Sequence, residues 1–356
     1  MTLSRKLFTV GPVHVEPEVL QAMTKPMITH RSKEYKALHG AVMEKMKKVL
    51  DTDMDIFLVG GSASVFLEGA VRNGVNSNVL GITNGSFGDR WIEISKLNGK
   101  SVKEIRVPWG KAMKPSDIEG AVDKGTEAVH FVSNESSTGV LSPLGAIADE
   151  VRKQSDALIF VDGVTSVAAT DLKLRKNEID ALIFGSQKAL ALPPGLGFMA
   201  VSERLMNKAK EVKNRGFYTD LIKLKKNNDE NYTLTTPPVS LIYALDFQLD
   251  RMIAEGIQAR YRRHGEMAKL VKQWSSKLDG MLPEEGYMSD TIGVLNRGEL
   301  DFDKFHAALK SKGYEISNGY GDVKQRTFRI GHMGDITPEK LRCLLKVMDE
   351  TLEECK

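Results

Sequence analysis

Lys188 follows the apolar run Ala181 to Phe184 and precedes the turn Pro193-Pro194-Gly195 in the stretch "FGSQKALALPPG". A lysine held among apolar residues at a strand end loses proton affinity by desolvation, which makes its amine a nucleophile and a former of Schiff bases. Asp162 stands twenty-six residues upstream, at the end of "LIFVD". A carboxylate there is costly to bury without a cationic partner. Past "DIFLV" comes Gly60-Gly61-Ser62-Ala63-Ser64, ahead of a helix expected to start near Val65. Its backbone N–H groups and hydroxyls form an anion cradle, although serine also suits a plain helix cap. Past "NVLGIT" comes Asn84-Gly85-Ser86-Phe87-Gly88, an aromatic ring among glycines. Past "AVHFVS" comes Asn134-Glu135-Ser136-Ser137-Thr138-Gly139, a group of small hydroxyls that read alone is a polar turn.

The weight lies in the set. In open parallel sheets, ligands bind outside the carboxyl ends of the strands, and each of these groups sits just past an apolar run. An anion cradle, a stacking ring, a hydroxyl donor, a strand-end aspartate and a strand-end lysine are the parts needed to hold pyridoxal phosphate. The aspartate would keep the pyridine nitrogen protonated, so that the ring acts as an electron sink.

The elements that must position them follow from periodicity. Between residues 55 and 201, short apolar runs alternate with longer amphipathic stretches, the rhythm of βαβ units in a parallel sheet covered on both faces. In "SPLGAIADEVRKQSDA", Ile147 and Val151 are spaced for a covering helix. After residue 236 a long helical stretch begins, with an expected break at Gly256. Beyond it, "IGVLNRG", "YEISNG" and "TFRIGHM" read as strands, and "FDKFHAALKSKG" and "PEKLRCLLKVMDETLEE" as helices. The expected fold is α/β, a large mixed and mostly parallel sheet covered by helices with a smaller C-terminal α+β unit.

Composition excludes several classes. With 356 residues, fifty basic and forty-seven acidic, the net charge of +3 defines no partner. Basic residues are interspersed with acidic ones, so nucleic-acid binding has no electrostatic footprint. No stretch approaches the roughly 18 apolar residues of a membrane span, and the N-terminus lacks a signal-peptide pattern, so a cytoplasmic protein is expected. Cys343 and Cys355 alone build neither a disulfide framework nor a thiolate zinc site, and no His-x-x-x-His pair is present, so no metal is expected. Cys343, at helical spacing with leucines in "LRCLLKVM", is expected in the core.

The sequence resembles the class V aminotransferases of fold type I, most closely the alanine:glyoxylate (serine:pyruvate) group. The resemblance is carried by "FTVGPVHVEPEVL", "MITHRSKEYKALH", "NGSFGDR", "NESSTGV", "VDGVTSVAATDL", "GSQKALALPPG", "TPPVSLIYAL" and "FRIGHMG". It implies that Lys188 carries the aldehyde of pyridoxal 5′-phosphate, that Asp162 partners its ring nitrogen and that Phe87 stacks on its ring. It implies a phosphate cup of Ser62, Ala63, Ser64 and Gln187. Ser136 would contact the ring oxygen or the substrate, Gly11 would lie on the substrate side, and Arg329 would clamp the substrate α-carboxylate as a bidentate donor. Tyr232 with Thr236, or with Thr235, would reach the phosphate of a neighbouring subunit in a homodimer with shared sites. Phe87 replaces a tryptophan, and Ala63 with Ser64 a Gly-His pair, found in some members.

The implied reaction moves an amino group from alanine or serine to glyoxylate or pyruvate in ping-pong fashion, with aspartate or phosphoserine as the alternative donors. Arg31 in "THRSKEY" is the candidate second cation for an acidic side chain. The large cofactor-binding unit is expected at 16–236, and the smaller unit at 1–15 with 237–356. A cysteine desulfurase would need a nucleophilic cysteine on a loop after the lysine, and none lies between Lys188 and Cys343. A regulator of the same fold would usually lack Lys188 or Asp162. A nicotinamide dehydrogenase is disfavoured because the first turn reads GGSAS, without the G-x-G-x-x-G fingerprint.

Overall fold

The computed structural model describes residues 5–355. Its strands begin with β1 (Lys6–Phe8), β2 (Asp55–Gly60), β3 (Asn78–Thr83), β4 (Ser101–Arg106) and β5 (Ala128–Val132). They continue with the short pair β6 (Asn134–Glu135) and β7 (Val140–Leu141), then β8 (Leu158–Asp162), β9 (Ala181–Gly185) and β10 (Leu196–Val201). The last three are β11 (Ile292–Asn296), β12 (Tyr314–Asn318) and β13 (Thr327–Gly331).

Seven strands form one sheet in the order β2-β10-β9-β8-β5-β3-β4. Side chains along a strand alternate between faces, so a strand covered on both sides shows an unbroken apolar run. In β2, Ile56 and Leu58 enter one core while Phe57 and Val59 enter another; in β8, Ile159 and Val161 oppose Leu158 and Phe160 in the same way. The helices Ser64–Gly74 and Ser86–Leu97 cover one face through Phe66, Val71 and Trp91. The helices Lys33–Leu50, Leu144–Gln154 and Val239–Glu255 cover the other through Met46, Ile147 and Leu245. The edge strand β4, "SVKEIR", is only half-buried and has just two apolar residues, three positions apart, which hid it in the sequence.

The sheet is mixed and mostly parallel, as expected, and β10 is the strand that makes it mixed. β3 pairs in parallel with β4 and β5, as do β5 with β8 and β8 with β9, but β10 is antiparallel to both β9 and β2. Only residues 186–195 join β9 to β10, whereas a parallel return needs a crossover of about a dozen or more. The chain doubles back, and Lys188 lies in that reversal. Because β2 opposes β10, it runs the same way as β3, β5, β8 and β9. Their five carboxyl ends share one edge.

A second sheet, ordered β1-β12-β13-β11, has its own core of Phe8, Ile316, Phe328 and Ile330. The helices Phe302–Ser311, Ile257–Ser275 and Pro338–Cys355 pack on it. Gly256, at φ +82° in the left-handed region that favours glycine, ends Val239–Glu255 and redirects the chain into Ile257–Ser275. Cys343 is exposed, contrary to the core position expected from its neighbours. Leu341, Leu344, Leu345 and Met348 form the buried stripe of that helix, and residue 343 falls on its outer side.

Arg260 ties the two sheets together. It is buried, with ion pairs to Glu255 at 2.7 Å and Asp335 at 3.0 Å, and it donates to the carbonyls of Ala168 and Ala189 at 3.2 and 2.7 Å. Its partners thus include the residue after Lys188 and the turn after β13. Breaking a buried pair from one side costs about 3 to 5 kcal/mol. Arg260→Ala is therefore expected to lower stability by about that amount in thermal unfolding; a change of about 0.5 kcal/mol, typical of surface sites, would contradict this role.

Candidate active site

The five aligned strand ends open on a cavity of about 330 Å³. Gly11, Ser62, Ala63, Ser64, Phe87, Ser136, Asp162, Gln187 and Lys188 line it, together with Arg90 and Asn134. Each follows from the fold: Ser62 to Ser64 lie past β2, Phe87 past β3, Ser136 past β5, Asp162 ends β8, and Lys188 follows β9.

The first N–H groups of any helix lack intrahelical acceptors. Here the helix Ser64–Gly74 has no side-chain cap, and the N–H groups of Ser62, Ala63 and Ser64 make no hydrogen bond among the described residues. The residues that carry them line the cavity at the positive end of the helix dipole.

Lys188 is buried, and its Nζ donates to the Val10 carbonyl at 2.5 Å. Among the described residues no carboxylate lies within ion-pair distance of it. Burial, then the positive charge of Arg329, lower its pKa to about 8, against the pull of Asp162 and Glu135. Gly11 makes room for the side chain: at φ +119°, a Cβ there would come within 3.0 Å of Lys188 Cδ and Cε. Burial raises the pKa of Asp162 to about 6, opposed by the Val164 N–H, which its Oδ1 accepts at 2.8 Å. The negative charge of Glu135 adds to the rise, while Lys188 and Arg90 oppose it.

Arg329 lies in β13, behind Ser136 and off the cavity wall. Its Nε donates to the Asn318 carbonyl at 2.9 Å and its Nη1 to the Ser136 carbonyl at 3.1 Å. Two of the five guanidinium N–H groups are thereby used, and no carboxylate pairs with it among the described residues. Burial lowers its pKa to about 10.

The model of the aminotransferase class-V family matches residues 7–319. The chain belongs to the class V aminotransferases. An uncharacterized aminotransferase of Methanocaldococcus jannaschii is 35% identical over 99% of this chain and 94% of its own length. A serine–glyoxylate aminotransferase of Methylorubrum extorquens is also 35% identical, over 93% of this chain and 86% of its own. Among solved structures, an aspartate aminotransferase of subgroup IV from Thermus thermophilus superposes with a TM-score of 0.92 at 26% identity, covering 98% of this chain and 99% of that one. This aminotransferase is thus a transaminase built on the fold type I scaffold.

Not every residue named from the sequence reaches the cavity of the aminotransferase. Tyr232 and Thr236 lie off its wall: the Tyr232 ring sits under Arg31 and Lys36, and Thr236 Oγ1 is 3.4 Å from His30 Nε2. Arg31 donates to the carbonyls of Thr233 and Leu234.

Two residues went unrecognised. Glu135, which in the sequence reads as part of a polar turn, is buried, and its two oxygens accept from Ser137 Oγ and N and from the N–H groups of Phe87 and Gly88, at 2.6 to 3.1 Å. Burial pushes its carboxyl up, and these donors work against the rise. Glu135 holds the start of the helix Ser86–Leu97 and so sets the Phe87 ring on the cavity wall. The logic applied to Asp162, a carboxylate just past an apolar strand, would have found it. Arg90 lines the same cavity one helical turn after Phe87, with its Cζ 4.8 Å over the Phe87 ring.

The Lys188 amine should gain reactivity with pH. In protein free of small molecules, capture of an aromatic aldehyde by Lys188 is expected to accelerate to a plateau above about pH 8, compared with about 10.4 for an ordinary lysine. Arg329→Gln removes a depressing charge and should move the midpoint upward. Absorbance kinetics across the range measure both, and a wild-type midpoint at the ordinary value would refute the environment described.

Proposed function

We propose that this aminotransferase holds pyridoxal 5′-phosphate beside Lys188 and transfers the amino group of a small amino acid, serine or alanine, to glyoxylate or pyruvate in ping-pong fashion. The observation that carries the reading is the meeting of Lys188, Asp162, Phe87 and the free N–H groups of Ser62 to Ser64 on one cavity. The residues present fit the cofactor. Donors without acceptors suit a phosphate, helped by the Ser62 and Ser64 hydroxyls and Gln187; a buried carboxyl at a strand end suits a protonated ring nitrogen; Phe87 offers a ring face.

When bound, pyridoxal phosphate supplies an aldehyde that condenses with amines and a ring that withdraws electrons. Asp162 holds the ring nitrogen's proton through a carboxylate that a cation at that position would keep ionised. Lys188 Nζ accepts the proton of the substrate α-carbon, and its lowered proton affinity lets it return that proton near neutral pH. Arg329 offers its unused N–H groups to the substrate α-carboxylate, with Gly11 and Ser136 alongside. The serine–glyoxylate relative supports the choice of donor, and the aspartate aminotransferase neighbour makes an acidic donor the second reading.

We also propose a homodimer in which Tyr232 and Thr236, or Thr235, complete the phosphate site of the partner. A phosphate carries about −1.5 to −2 charges against about +0.5 at a helix N-terminus, so further donors are needed, and both side chains lie off their own cavity. The proposed units are 16–236, and 1–15 with 237–356; residues 1–4 and 356 lie outside the described residues. The helix Val239–Glu255 is the connector, since its apolar side joins the core of the large sheet. No described helix is long and apolar enough to cross a membrane, and a cytoplasmic location is proposed.

Two experiments test this reading. Borohydride reduction of the cofactor-loaded enzyme and peptide mapping should place the label on Lys188, and single half-reactions should show bleaching by serine or alanine; a label on another lysine refutes the assignment. Mixing inactive Lys188→Ala with a Tyr232→Ala/Thr236→Ala variant should restore activity in the heterodimer. No recovery in a proven heterodimer would place those donors within their own subunit.

A further inference from the structure

We infer that Tyr320 confines the substrate to a single carboxylate, by standing in contact with two arginines that lack acid partners. The inference rests on the function proposed above and extends it to the residue that sets substrate class.

Arg329 and Arg90 are alike in one respect. Neither has a carboxylate within ion-pair distance among the described residues, whereas buried Arg260 has two. A guanidinium drawn from water with only neutral partners is poised for an anion. Tyr320 touches both: its ring centroid is 5.3 Å from Arg329 Cζ, and its hydroxyl accepts from Arg90 Nη2 at 3.2 Å. The same ring stacks on Phe87 at 5.5 Å and 13°.

The backbone that carries the phenol is closely packed on both sides. Gly321 has φ +58°, and a Cβ there would lie 2.5 Å from Trp109 Cη2 and still closer to Ser86 Oγ. At Gly319, a Cβ would lie 2.5 Å from Thr327 Oγ1. Packing this close fixes the backbone on both sides of Tyr320, and the ring, 38% exposed, is oriented by its stacking on Phe87 and by the hydrogen bond from Arg90. With a substrate α-carboxylate on Arg329, a second carboxylate reaching toward Arg90 would meet the phenol that stands between the two arginines. The phenol–arginine hydrogen bond has a neutral acceptor and is weaker than a carboxylate–arginine pair, so Arg90 would exchange its partner if the ring were removed. Steric blocking, rather than the absence of a second cation, is what excludes the dicarboxylate.

The test compares wild type, Tyr320→Ala, Tyr320→Phe and Tyr320→Ala/Arg90→Gln, loaded with cofactor, for kcat/KM with alanine, serine and aspartate. Tyr320→Ala is expected to raise the aspartate-to-alanine ratio by about tenfold or more, the worth of one charge-assisted contact. Tyr320→Phe keeps the ring and should keep the wild-type ratio, and the double variant should lose the gain. Tyr320→Ser gives the same reading if the alanine variant does not fold. A second readout needs no turnover: calorimetric titration of cofactor-free protein with succinate and propionate should show a preference for succinate in Tyr320→Ala that is missing from wild type and the double variant. An unchanged ratio in Tyr320→Ala, an equal loss for all donors, or a wild type that already prefers aspartate and succinate would overturn the inference. A wild type that bleaches with no donor would overturn the proposed reaction instead, and the titration would still decide the role of Tyr320.

Discussion

Burying the Lys188 amine takes a cation out of water, and the protein answers by letting its proton affinity fall instead of pairing it with an acid. Its nearest polar contact is the neutral Val10 carbonyl, and Arg329 adds like charge. The rest of the site is arranged around that choice. Gly11 clears the space beside its methylenes, the short connection after β9 delivers it to the carboxyl edge, and Arg260 grips the following residue from the second sheet. The lowered value also costs stability. Below about pH 8 the penalty is present in full, and between there and the value of about 10.4 for an exposed lysine the unfolded chain binds the extra proton, so stability rises with pH across that window.

Around the lysine, charges are placed so that each anion-binding group stays free. The carboxyls that lie nearby are turned to other tasks: Glu135 is saturated by four donors, two at the start of a helix and two from Ser137, and Asp162 has the Val164 N–H on one oxygen. Arg329 and Arg90 keep neutral partners. The donors of the cavity are thereby left without internal acid partners, as the proposed binding of a phosphate and a carboxylate requires.

Much of this was legible because strand ends announce themselves. Runs such as "LIFVD" and "ALIFG" are apolar at every position since both sheet faces are covered, and the residue that breaks each run must lie at the edge. Lys188, Asp162 and Phe87 were found in that way. What escaped has physical reasons. The direction of β10 depends on the length of its connection, which periodicity does not weigh. β4 lies at an edge and mixes charge with apolar residues. Cys343 has leucines beside it in sequence but not on its side of the helix. Arg90 and Tyr320 meet only because the helix after β3 and the loop after β12 come together, a contact across some 230 residues of chain.

The acceptor for the Lys188 amine lies at the other end of the chain. Val10 follows β1, which pairs with β12 of residues 314–318, and the Val10 N–H donates to Ser317 Oγ at 3.1 Å. The N-terminal segment is thus held at both ends, by β12 and Ser317 on one side and by the Val13 N–H, which donates to the Gln187 carbonyl at 3.1 Å, on the other, so the carbonyl that steadies the amine reads the position of both sheets at once.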